Sequence, residues 1–270
     1  MSDKKIITLL TDFGLKDIYV GTMKGIIAQI NPNLKVIDLT HQIPPQNLFA
    51  ARFCLLNAYP YFSTGTVHLA VVDPGVGSKR RAIAIELPIG FLVGPDNGIF
   101  SGVWESFHKE NIKVVALTNS KYWRTDKPSK TFHGRDIFAP VAAHIASGVK
   151  LENLGEEINL ESLVKLPLNN INLTPSGIVG SVQHIDYFGN IITNISSSYV
   201  IGKIWSVIVS NDGDLGRGKI ISSGNTYADC ELGELIAIIG SHGFVEFAVN
   251  GGSAEEKLDL KHGDKVEIVW

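Results

Sequence analysis

Hydrophobic residues in the first 150 positions alternate between short continuous runs and longer stretches with helical spacing. The continuous runs are rich in Ile, Val and Leu and predict buried strands at residues 6–10, 35–39, 66–72, 82–87 and 114–117. The helically spaced stretches predict helices at residues 17–30, 47–59, 98–107 and 136–147. Strands that alternate with helices are typical of a mainly parallel sheet covered on both faces. We therefore predict an α/β N-terminal domain over residues 1–165.

The pattern changes after about residue 160. Residues 166–176 are rich in Asn and Pro and predict a linker. Beyond them, short β-like runs are separated by Gly-containing turns, and little suggests a helix. We predict a small all-β C-terminal domain, a barrel or a sandwich, over residues 177–270.

Charge and composition narrow the range of partners. The formal net charge of the 270 residues is −3, and Lys and Arg are scattered, so we expect no nucleic-acid partner. No segment approaches the roughly 18 apolar residues of a membrane span, and the first apolar run is too short for a signal peptide. We expect a soluble, cytoplasmic protein without a membrane partner. Cys54 and Cys230 lack metal-ligand spacing and do not indicate a zinc site or a disulfide framework.

Two acidic residues follow predicted strands. Ligands of open α/β sheets bind at the carboxyl ends of the strands, where Asp12 and Asp73 fall. Asp12 fits a turn or helix cap, and it equally fits a group that binds a ribose diol. Asp73 fits an Asx turn, but the Pro-Gly-x-Gly sequence after it can return Arg80 or Arg81 to its carboxylate. Such a pair would keep Asp73 ionised beside a cleft.

A histidine in "TFHGRDIFAP" is a third candidate. His133 precedes the predicted helix at 136–147 and so lies in a loop, where a surface position and a catalytic position are both open. Gly134 indicates close approach of the backbone to another group. A metal site formed by Asp12, Asp73, His133 and His41 is conceivable, although no ligand spacing supports it.

Turns of the β domain hold the remaining polar candidates. Asp186 and Asn190 flank a Phe-Gly turn, Ser241 and His242 share another, and Gly251 lies in a third. Hairpin turns explain all three, and each turn could also expose backbone groups to a ligand.

Six motifs, in this order and over nearly the whole chain, carry a family resemblance: "TDFG", "DPGVGSKRR", "GPDNG", "TFHGRDIFAP", "DYFGN" and "GSHGF…VNGG". The chain resembles the S-adenosyl-L-methionine hydroxide adenosyltransferases, which are relatives of the fluorinase and chlorinase enzymes. The resemblance implies a Rossmann-like α/β domain, a C-terminal β-barrel and S-adenosyl-L-methionine as the substrate, with no cofactor or metal. It also implies a homotrimer whose sites lie between the N-terminal domain of one subunit and the C-terminal domain of the next.

The resemblance also implies residue roles. Asp73, Arg80 and His133 match the family's catalytic residues. The positions that match substrate contacts are Asp12 for the ribose hydroxyls, Phe132 near the reacting carbon, Asn190, Val249 and Gly251 for adenine, and Asp186 and Ser241 for the methionine amino and carboxylate groups. His242 stands where the fluorinase has arginine. The fluorinase also has tyrosine at positions 73 and 133, serine at position 134, and an insertion before "GPDNG" for which this chain has no room; Gly134 matches the chlorinase.

These residues lead to one hypothesis and three alternatives. We expect hydrolysis of S-adenosyl-L-methionine to adenosine and L-methionine through in-line attack of water or hydroxide on the ribose C5′, with either Asp73 or His133 as the proton acceptor. The alternatives are a halide-using, chlorinase-like adenosyl transferase, a non-catalytic protein that binds the nucleoside or S-adenosyl-L-methionine, and a metal-dependent hydrolase.

Overall fold

The computed structural model describes residues 5–209 and 219–270 of the chain. It divides into two compact units, Met1–Leu166 and Pro167–Trp270. The division falls at the start of the segment predicted to be a linker, and part of that segment, Asn172–Thr174, forms a strand. Within the described ranges no helix combines the length and apolar composition needed to cross a membrane.

The described residues of the first unit form a seven-stranded sheet. Its strands are β1 (Ile6–Thr11), β2 (Lys35–Thr40), β3 (Thr66–Val71), β4 (Ala82–Leu87), β5 (Gly90–Pro95), β6 (Lys113–Ala116) and β7 (Glu156–Glu157). Their order is β2-β1-β3-β5-β4-β6-β7. The pairs β1/β2, β1/β3 and β3/β5 are parallel, whereas β4 and β7 run against their neighbours. The prediction of a mainly parallel sheet is confirmed, since five of these strands run in one direction.

Helices cover both faces of this sheet, as predicted. They are α1 (Tyr19–Ile30), α2 (Leu48–Ala58), α3 (Ser101–Trp104) and α4 (Ala139–Ala146). Successive residues of a strand point to opposite faces. Accordingly, Leu69 and Val71 of β3 pack in the core shared with α1 and α4, and Ala70 and Val72 pack in the core shared with α2 and α3.

Two predictions for this unit need correction, and one strand was missed. The helix predicted at 98–107 is reduced to α3, and Gly98, at φ +94°, lies outside the right-handed region and so cannot begin it. The helix predicted from residue 136 begins instead as a π-helical turn, Gly134–Phe138, that continues into α4. Strand β5 was not predicted. Glycine is needed at position 94 of this strand, because a Cβ there would lie 2.2 Å from the carbonyl oxygen of Ala70 on β3.

The second unit is an antiparallel, nearly closed barrel, as the resemblance implied. Its described strands are β8 (Asn172–Thr174), β9 (Gly177–Ile185), β10 (Ile191–Ser196), β11 (Ser206–Val209), β12 (Lys219–Ser222), β13 (Leu235–Ile239), β14 (Phe244–Val249) and β15 (Lys265–Val269). The order is β12-β11-β15-β9-β10-β14-β13, with β8 added to β9. The sheet's two ends approach each other where Ser223, after β12, bridges to Ala237 of β13.

A short helix in this unit, α5 (Ala254–Leu258), was not predicted. Its N-cap is Ser253, whose side chain accepts a hydrogen bond from the amide of Glu256 at 3.2 Å. Ser-x-x-Glu is a signature of a helix N-terminus, so the sequence did contain a signal for it.

Candidate functional site

Strand order brings the first candidates together. Strand β5 lies between β3 and β4, so the connection at 72–81 must cross the carboxyl end of β5. Asp73 begins this connection and Arg80 lies near its end. Gly77, at φ +78°, lets the connection pack closely against the backbone at Lys130, because a Cβ at position 77 would lie 2.3 Å from the Lys130 carbonyl oxygen. The turn therefore packs against the segment that leads into His133.

Asp73, Arg80 and His133 are in direct contact, and we call them the Asp–Arg–His cluster. Arg80 Nε donates to Asp73 Oδ1 at 2.9 Å, and Arg80 Nη2 donates to Asp73 Oδ2. The same Nη2 lies 2.7 Å from His133 Nδ1. Because a guanidinium group can only donate, Nδ1 is the acceptor and a neutral His133 carries its ring proton on Nε2.

The cluster is shielded from solvent. The side chains of Asp73 and Arg80 are 6% and 10% exposed. The buried ring of Phe138 lies under the Arg80 guanidinium, 5.2 Å from its central carbon, and meets the His133 ring edge-on at 6.5 Å. Burial and then the charge of Arg80 hold the pKa of His133 below its usual value of 6.5, although the carboxylates of Asp73 and Asp136 act in the opposite direction. His133 is therefore neutral at neutral pH.

A buried carboxylate fixes the π-helical turn that directly follows His133. Asp136, fully buried in the π-helical turn, accepts hydrogen bonds from Arg124 Nε at 2.5 Å, Arg135 Nε at 2.7 Å and the amide of Ser129 at 2.8 Å. These donors outweigh desolvation and keep the pKa of Asp136 well below its usual range. π-Helical turns are frequent at functional sites.

The two arginines of "SKRR" have different partners. Sequence reasoning allowed either one beside Asp73, and the structure places Arg80 there. Arg81 binds Asp96 instead, through Nε at 2.8 Å and Nη2 at 2.5 Å.

Asp12 and Phe132 lie next to this cluster in the fold. Thr11 of β1 pairs with Val71 of β3, so Asp12 and the Asp73 connection leave neighbouring parallel strands at the same edge. Asp12 Oδ2 accepts from the amide of Gln46 at 2.8 Å. The ring of Phe132 packs edge-on against Phe13 and Tyr19, at 5.9 and 5.2 Å. Sequence reasoning did not single out Phe13, which directly follows Asp12, or Tyr19, which lies seven residues after it.

The suggested four-residue metal site is not assembled. His41 Nδ1 is bonded to Thr11 Oγ1 at 2.9 Å, behind the Asp12 loop. Among residues 5–209 and 219–270, no group of three or more His, Cys, Asp or Glu is placed to hold a metal ion.

In the second unit, Asp186 and Asn190 bond to each other across the β9–β10 turn. Asp186 Oδ1 accepts from the amides of Phe188 and Asn190 at 2.9 Å each, and Asp186 Oδ2 accepts from Asn190 Nδ2 at 3.0 Å. The hairpin interpretation is therefore correct for this turn. It also leaves the aromatic rings of Tyr187 and Phe188, 94% and 72% exposed, at the tip of the hairpin.

Ser241 and His242 lie in the β13–β14 turn. Ser241 is exposed. His242 Nε2 lies 2.9 Å from Glu246 Oε2, and His242 Nδ1 accepts from the amide of Phe244 at 3.2 Å. Glu246 is buried and also accepts from the hydroxyl of Tyr227 at 2.9 Å. Sequence reasoning missed Glu246 and Tyr227. The spacing of four residues between His242 and Glu246 does not indicate a contact in a β domain, and Tyr227 is 19 residues from Glu246 in the sequence.

Val249 and Gly251 lie at the opposite end of β14 from Ser241. Gly251 adopts φ +73°, and a Cβ there would lie 2.7 Å from a methyl carbon of Leu232. The register of β10 on β14, with Ile191 opposite Phe247, brings Asn190 to this same end.

An α/β domain that carries a buried Asp–Arg–His cluster, followed by a β-barrel domain, defines a class of two-domain proteins with side chains suited to acid–base chemistry. The model of the SAM hydroxide adenosyltransferase N-terminal domain matches residues 7–155, and that of the C-terminal domain matches residues 180–267. The chain belongs to the SAM hydroxide adenosyltransferase family, and the resemblance seen in the motifs is confirmed.

Individual relatives agree with this assignment. An (R)-S-adenosyl-L-methionine hydrolase of Thermus thermophilus is 40% identical, over 96% of this chain and 98% of that protein. A second one, of Salinispora tropica, is 38% identical over 97% of both chains. A solved structure from Thermotoga maritima has a TM-score of 0.88 and 36% identity, covering 97% of this chain and 99% of that one. A fluorinase of Nocardia brasiliensis is more distant, at 24% identity over 98% and 97% of the chains.

Proposed function

We propose that this protein hydrolyses S-adenosyl-L-methionine to adenosine and L-methionine by nucleophilic substitution at the ribose C5′. The observation that carries the proposal is the Asp–Arg–His cluster, in which one guanidinium group binds a carboxylate and an imidazole at once. The two relatives at 38% and 40% identity are hydrolases of this substrate, which supports the same reaction here.

The reaction needs a positioned water but no acid. The water oxygen forms a bond to C5′ while the C5′–S bond breaks. The electron pair of the C5′–S bond stays on sulfur, which neutralises the sulfonium as methionine leaves. The water loses a proton as it attacks. Positioned acid–base groups contribute about 10²–10⁴-fold to such steps, and alignment in a near-attack geometry contributes more.

Within the cluster, we assign the proton to Asp73. His133 Nδ1 is occupied by Arg80, so the other ring nitrogen, Nε2, carries a hydrogen and can only donate to the water. Asp73 is an acceptor with lone pairs beyond the two that face Arg80. In this assignment Arg80 orients both neighbours, His133 orients the water, and Asp73 receives its proton.

Other residues bind the substrate in this proposal. Asp12 accepts hydrogen bonds from the ribose hydroxyls, held in place by the amide of Gln46. The remaining assignments follow the family's pattern: Phe132 lines the reacting carbon, Asn190, Val249 and Gly251 contact adenine, and Asp186 and Ser241 contact the amino and carboxylate groups of methionine. His242 supports this site through the turn that carries Ser241, because both of its ring nitrogens already have partners.

The halide-using alternative is disfavoured by charge. The carboxylate of Asp73 balances Arg80, and His133 is neutral, so the cluster has no net positive charge to hold chloride. Product analysis separates the hydrolase from a binding protein without turnover. We keep the proposal that no cofactor or metal is required.

Assembly and location complete the proposal. A homotrimer, with each site shared between the N-terminal domain of one subunit and the C-terminal domain of the next, would cover the exposed Tyr187 and Phe188. Large aromatic rings that are exposed in a single subunit often mark a surface that another subunit covers in the assembly. A cytoplasmic location remains our expectation.

The test is chromatography of products from chelator-treated protein incubated with S-adenosyl-L-methionine, with and without chloride. Equal amounts of adenosine and methionine, unaffected by chloride and strongly reduced in His133→Ala, are expected. Diversion of product to 5′-chloro-5′-deoxyadenosine would favour the halide alternative. Substrate binding without adenosine would favour the binding protein, and activity lost on chelation and restored by a metal would favour the metal-dependent hydrolase.

A further inference from the structure

The motif "GPDNG" has no part in the chemistry proposed above, yet it lies directly under the Asp73–Arg80 connection. It contains the last residues of β5 and the turn after it. The sheet order places the carboxyl end of β5 between the end of β3 and the start of β4. The connection that carries Asp73 and Arg80 therefore spans the two residues that follow β5, Asp96 and Asn97.

Asn97 holds the beginning of this connection. Its Nδ2 donates to the carbonyl oxygen of Val72 at 2.8 Å, and its Oδ1 accepts from the amide of Ile99 at 3.3 Å. The second bond fixes which way the side-chain amide faces. The Val72 carbonyl belongs to the peptide that leads directly into Asp73, so the first bond sets the orientation of that peptide.

Asp96 holds the end of the connection. Its amide donates to the carbonyl oxygen of Arg81 at 3.0 Å, and its Oδ2 accepts from the Arg81 guanidinium. Its Oδ1 accepts from the amide of Val164 at 3.0 Å. Asp96 is 5% exposed, so a buried charge is paired and bonded on both oxygens. The residue next to Arg80 is thereby fixed in both backbone and side chain.

We infer that Asn97 and Asp96 are positioning residues for the Asp–Arg–His cluster, acting as a clamp on both ends of the connection that carries Asp73 and Arg80. Neither contacts the substrate in the reaction proposed above. The inference rests on that proposed function for its kinetic readout, but it also makes a prediction about His133 that needs no turnover. If the connection shifts, the Arg80 bond to His133 Nδ1 lengthens or breaks.

The test compares Asn97→Ala with a matched variant, Asn119→Ala. Asn119 makes the same two bonds in the same unit: its Nδ2 donates to the carbonyl oxygen of Asn153 at 2.7 Å, and its Oδ1 accepts from the amide two residues on, at 3.2 Å. Each variant loses one donated and one accepted bond, and only a positioning role of Asn97 predicts a change at His133. Asn97→Asp, which keeps the shape and removes the donor, serves if Asn97→Ala does not fold.

Two readouts are taken for each variant. For Asn97→Ala we expect kcat to fall about ten- to 100-fold, with KM changed less than kcat, because misplacement of about 1 Å can cost 100-fold. We also expect the ¹⁵N resonances of His133, assigned by their loss in His133→Gln, to move away from their wild-type positions. Asn119→Ala should match the wild type in both.

The outcomes are distinct. If Asn97→Ala and Asn97→Asp leave the His133 resonances where Asn119→Ala leaves them, the clamp does not position the cluster and the inference fails, whatever the kinetics. If the wild type releases no adenosine but the His133 resonances move in the Asn97 variants alone, the proposed function fails and the positioning role stands.

Discussion

Arg80 Nη2 lies 2.7 Å from His133 Nδ1 while the same guanidinium group binds both carboxylate oxygens of Asp73. Since the guanidinium can only donate, this bond exists only when Nδ1 is unprotonated. It therefore selects the neutral imidazole and fixes its hydrogen on Nε2. The sequence left Asp73 and His133 open as proton acceptors, and this relationship makes them unequal: His133 presents a donor, and Asp73 presents an acceptor.

The first prediction concerns the side chain at position 133. The amide nitrogen of glutamine can replace an imidazole Nε2–H as a donor, but a glutamine side chain cannot take up a proton near neutral pH. We expect His133→Ala to lower kcat about 100-fold, His133→Gln to retain at least about tenfold more activity than His133→Ala, and Asp73→Asn to lose about 10²–10⁴-fold. His144→Gln, in α4, should match the wild type. Equal, deep losses in both His133 variants would make His133 the proton acceptor instead.

The second prediction concerns pH. Burial and Arg80 lower the pKa of His133 below 6.5, and protonation would place a hydrogen on Nδ1, facing the Arg80 guanidinium. The active form is the deprotonated one, so kcat should stay level at neutral pH and fall only at pH values below 6.5. Removing the charge in Arg80→Gln should raise the pKa of His133 in an NMR titration. A midpoint at or above 6.5 in the wild type, or no rise in the variant, would contradict this account.

A third prediction concerns stability at low pH. His68 is buried, bonded through Nδ1 to Thr8 Oγ1 at 2.8 Å, and burial lowers its pKa to about 4. The unfolded chain, with an ordinary His pKa near 6.5, binds more protons in the interval between these values. His68 thus contributes stability above 6.5 that is lost as the pH falls towards 4, amounting to roughly 3 kcal/mol at most.

Urea unfolding over this pH interval measures the effect. In His68→Leu, proton uptake on unfolding should decrease by close to one, which flattens the pH dependence of the free energy of unfolding. The control is His108→Leu, at an exposed position, which should keep the wild-type slope. An unchanged slope in His68→Leu would show that His68 is protonated in the folded protein.

A fourth prediction compares two glycines. A Cβ at Gly134 would lie 3.1 Å from Met23 Sδ and 3.2 Å from Phe132 Cε2, whereas a Cβ at Gly21, in α1, would meet nothing within 4 Å. Gly134→Ala should destabilise the protein by about 1–3 kcal/mol through overpacking, and Gly21→Ala should stabilise it by about 0.5–1 kcal/mol through helix propensity. Thermal unfolding measures both. If Gly134→Ala is as stable as Gly21→Ala, the packing beside His133 is looser than the distances indicate.

Much of the first unit was predictable because its strands are continuous apolar runs and α1 follows the helical period. Strand β5 was missed because Gly90 and Gly94 limit its apolar run to three residues. Both glycines are needed because a Cβ at either position would collide with a carbonyl oxygen of β3, and the sequence alone does not show that β3 is the neighbour. The π-helical turn before α4 was likewise missed, since it depends on the partners of Asp136 elsewhere in the fold.

The site residues, too, divide into those that local sequence indicates and those that depend on the folded sheet. Asp12 and Asp73 could be found because a carboxylate after a buried strand is a local signal. Local sequence could not decide between Arg80 and Arg81, because adjacent side chains point apart and the choice depends on β5 lying between β3 and β4. Asp96 and Glu246 were not recognised as partners, since Asp96 binds Arg81 and Glu246 binds Tyr227, two residues that only the folded sheet brings near.

The last prediction concerns assembly. Tyr187 and Phe188 form an edge-on pair, with ring centroids 5.8 Å apart, at the exposed tip of the β9–β10 hairpin, and the turn beneath them is held rigid by Asp186. In the proposed homotrimer this tip is covered by a neighbouring subunit, so sedimentation should give the mass of three chains. Replacing both rings by serine should weaken the trimer and lower kcat/KM together, whereas Tyr61→Ser, which removes an aromatic ring 82% exposed in the first unit, should alter neither. A fully active monomer, from either the wild type or the double variant, would exclude a site shared between subunits.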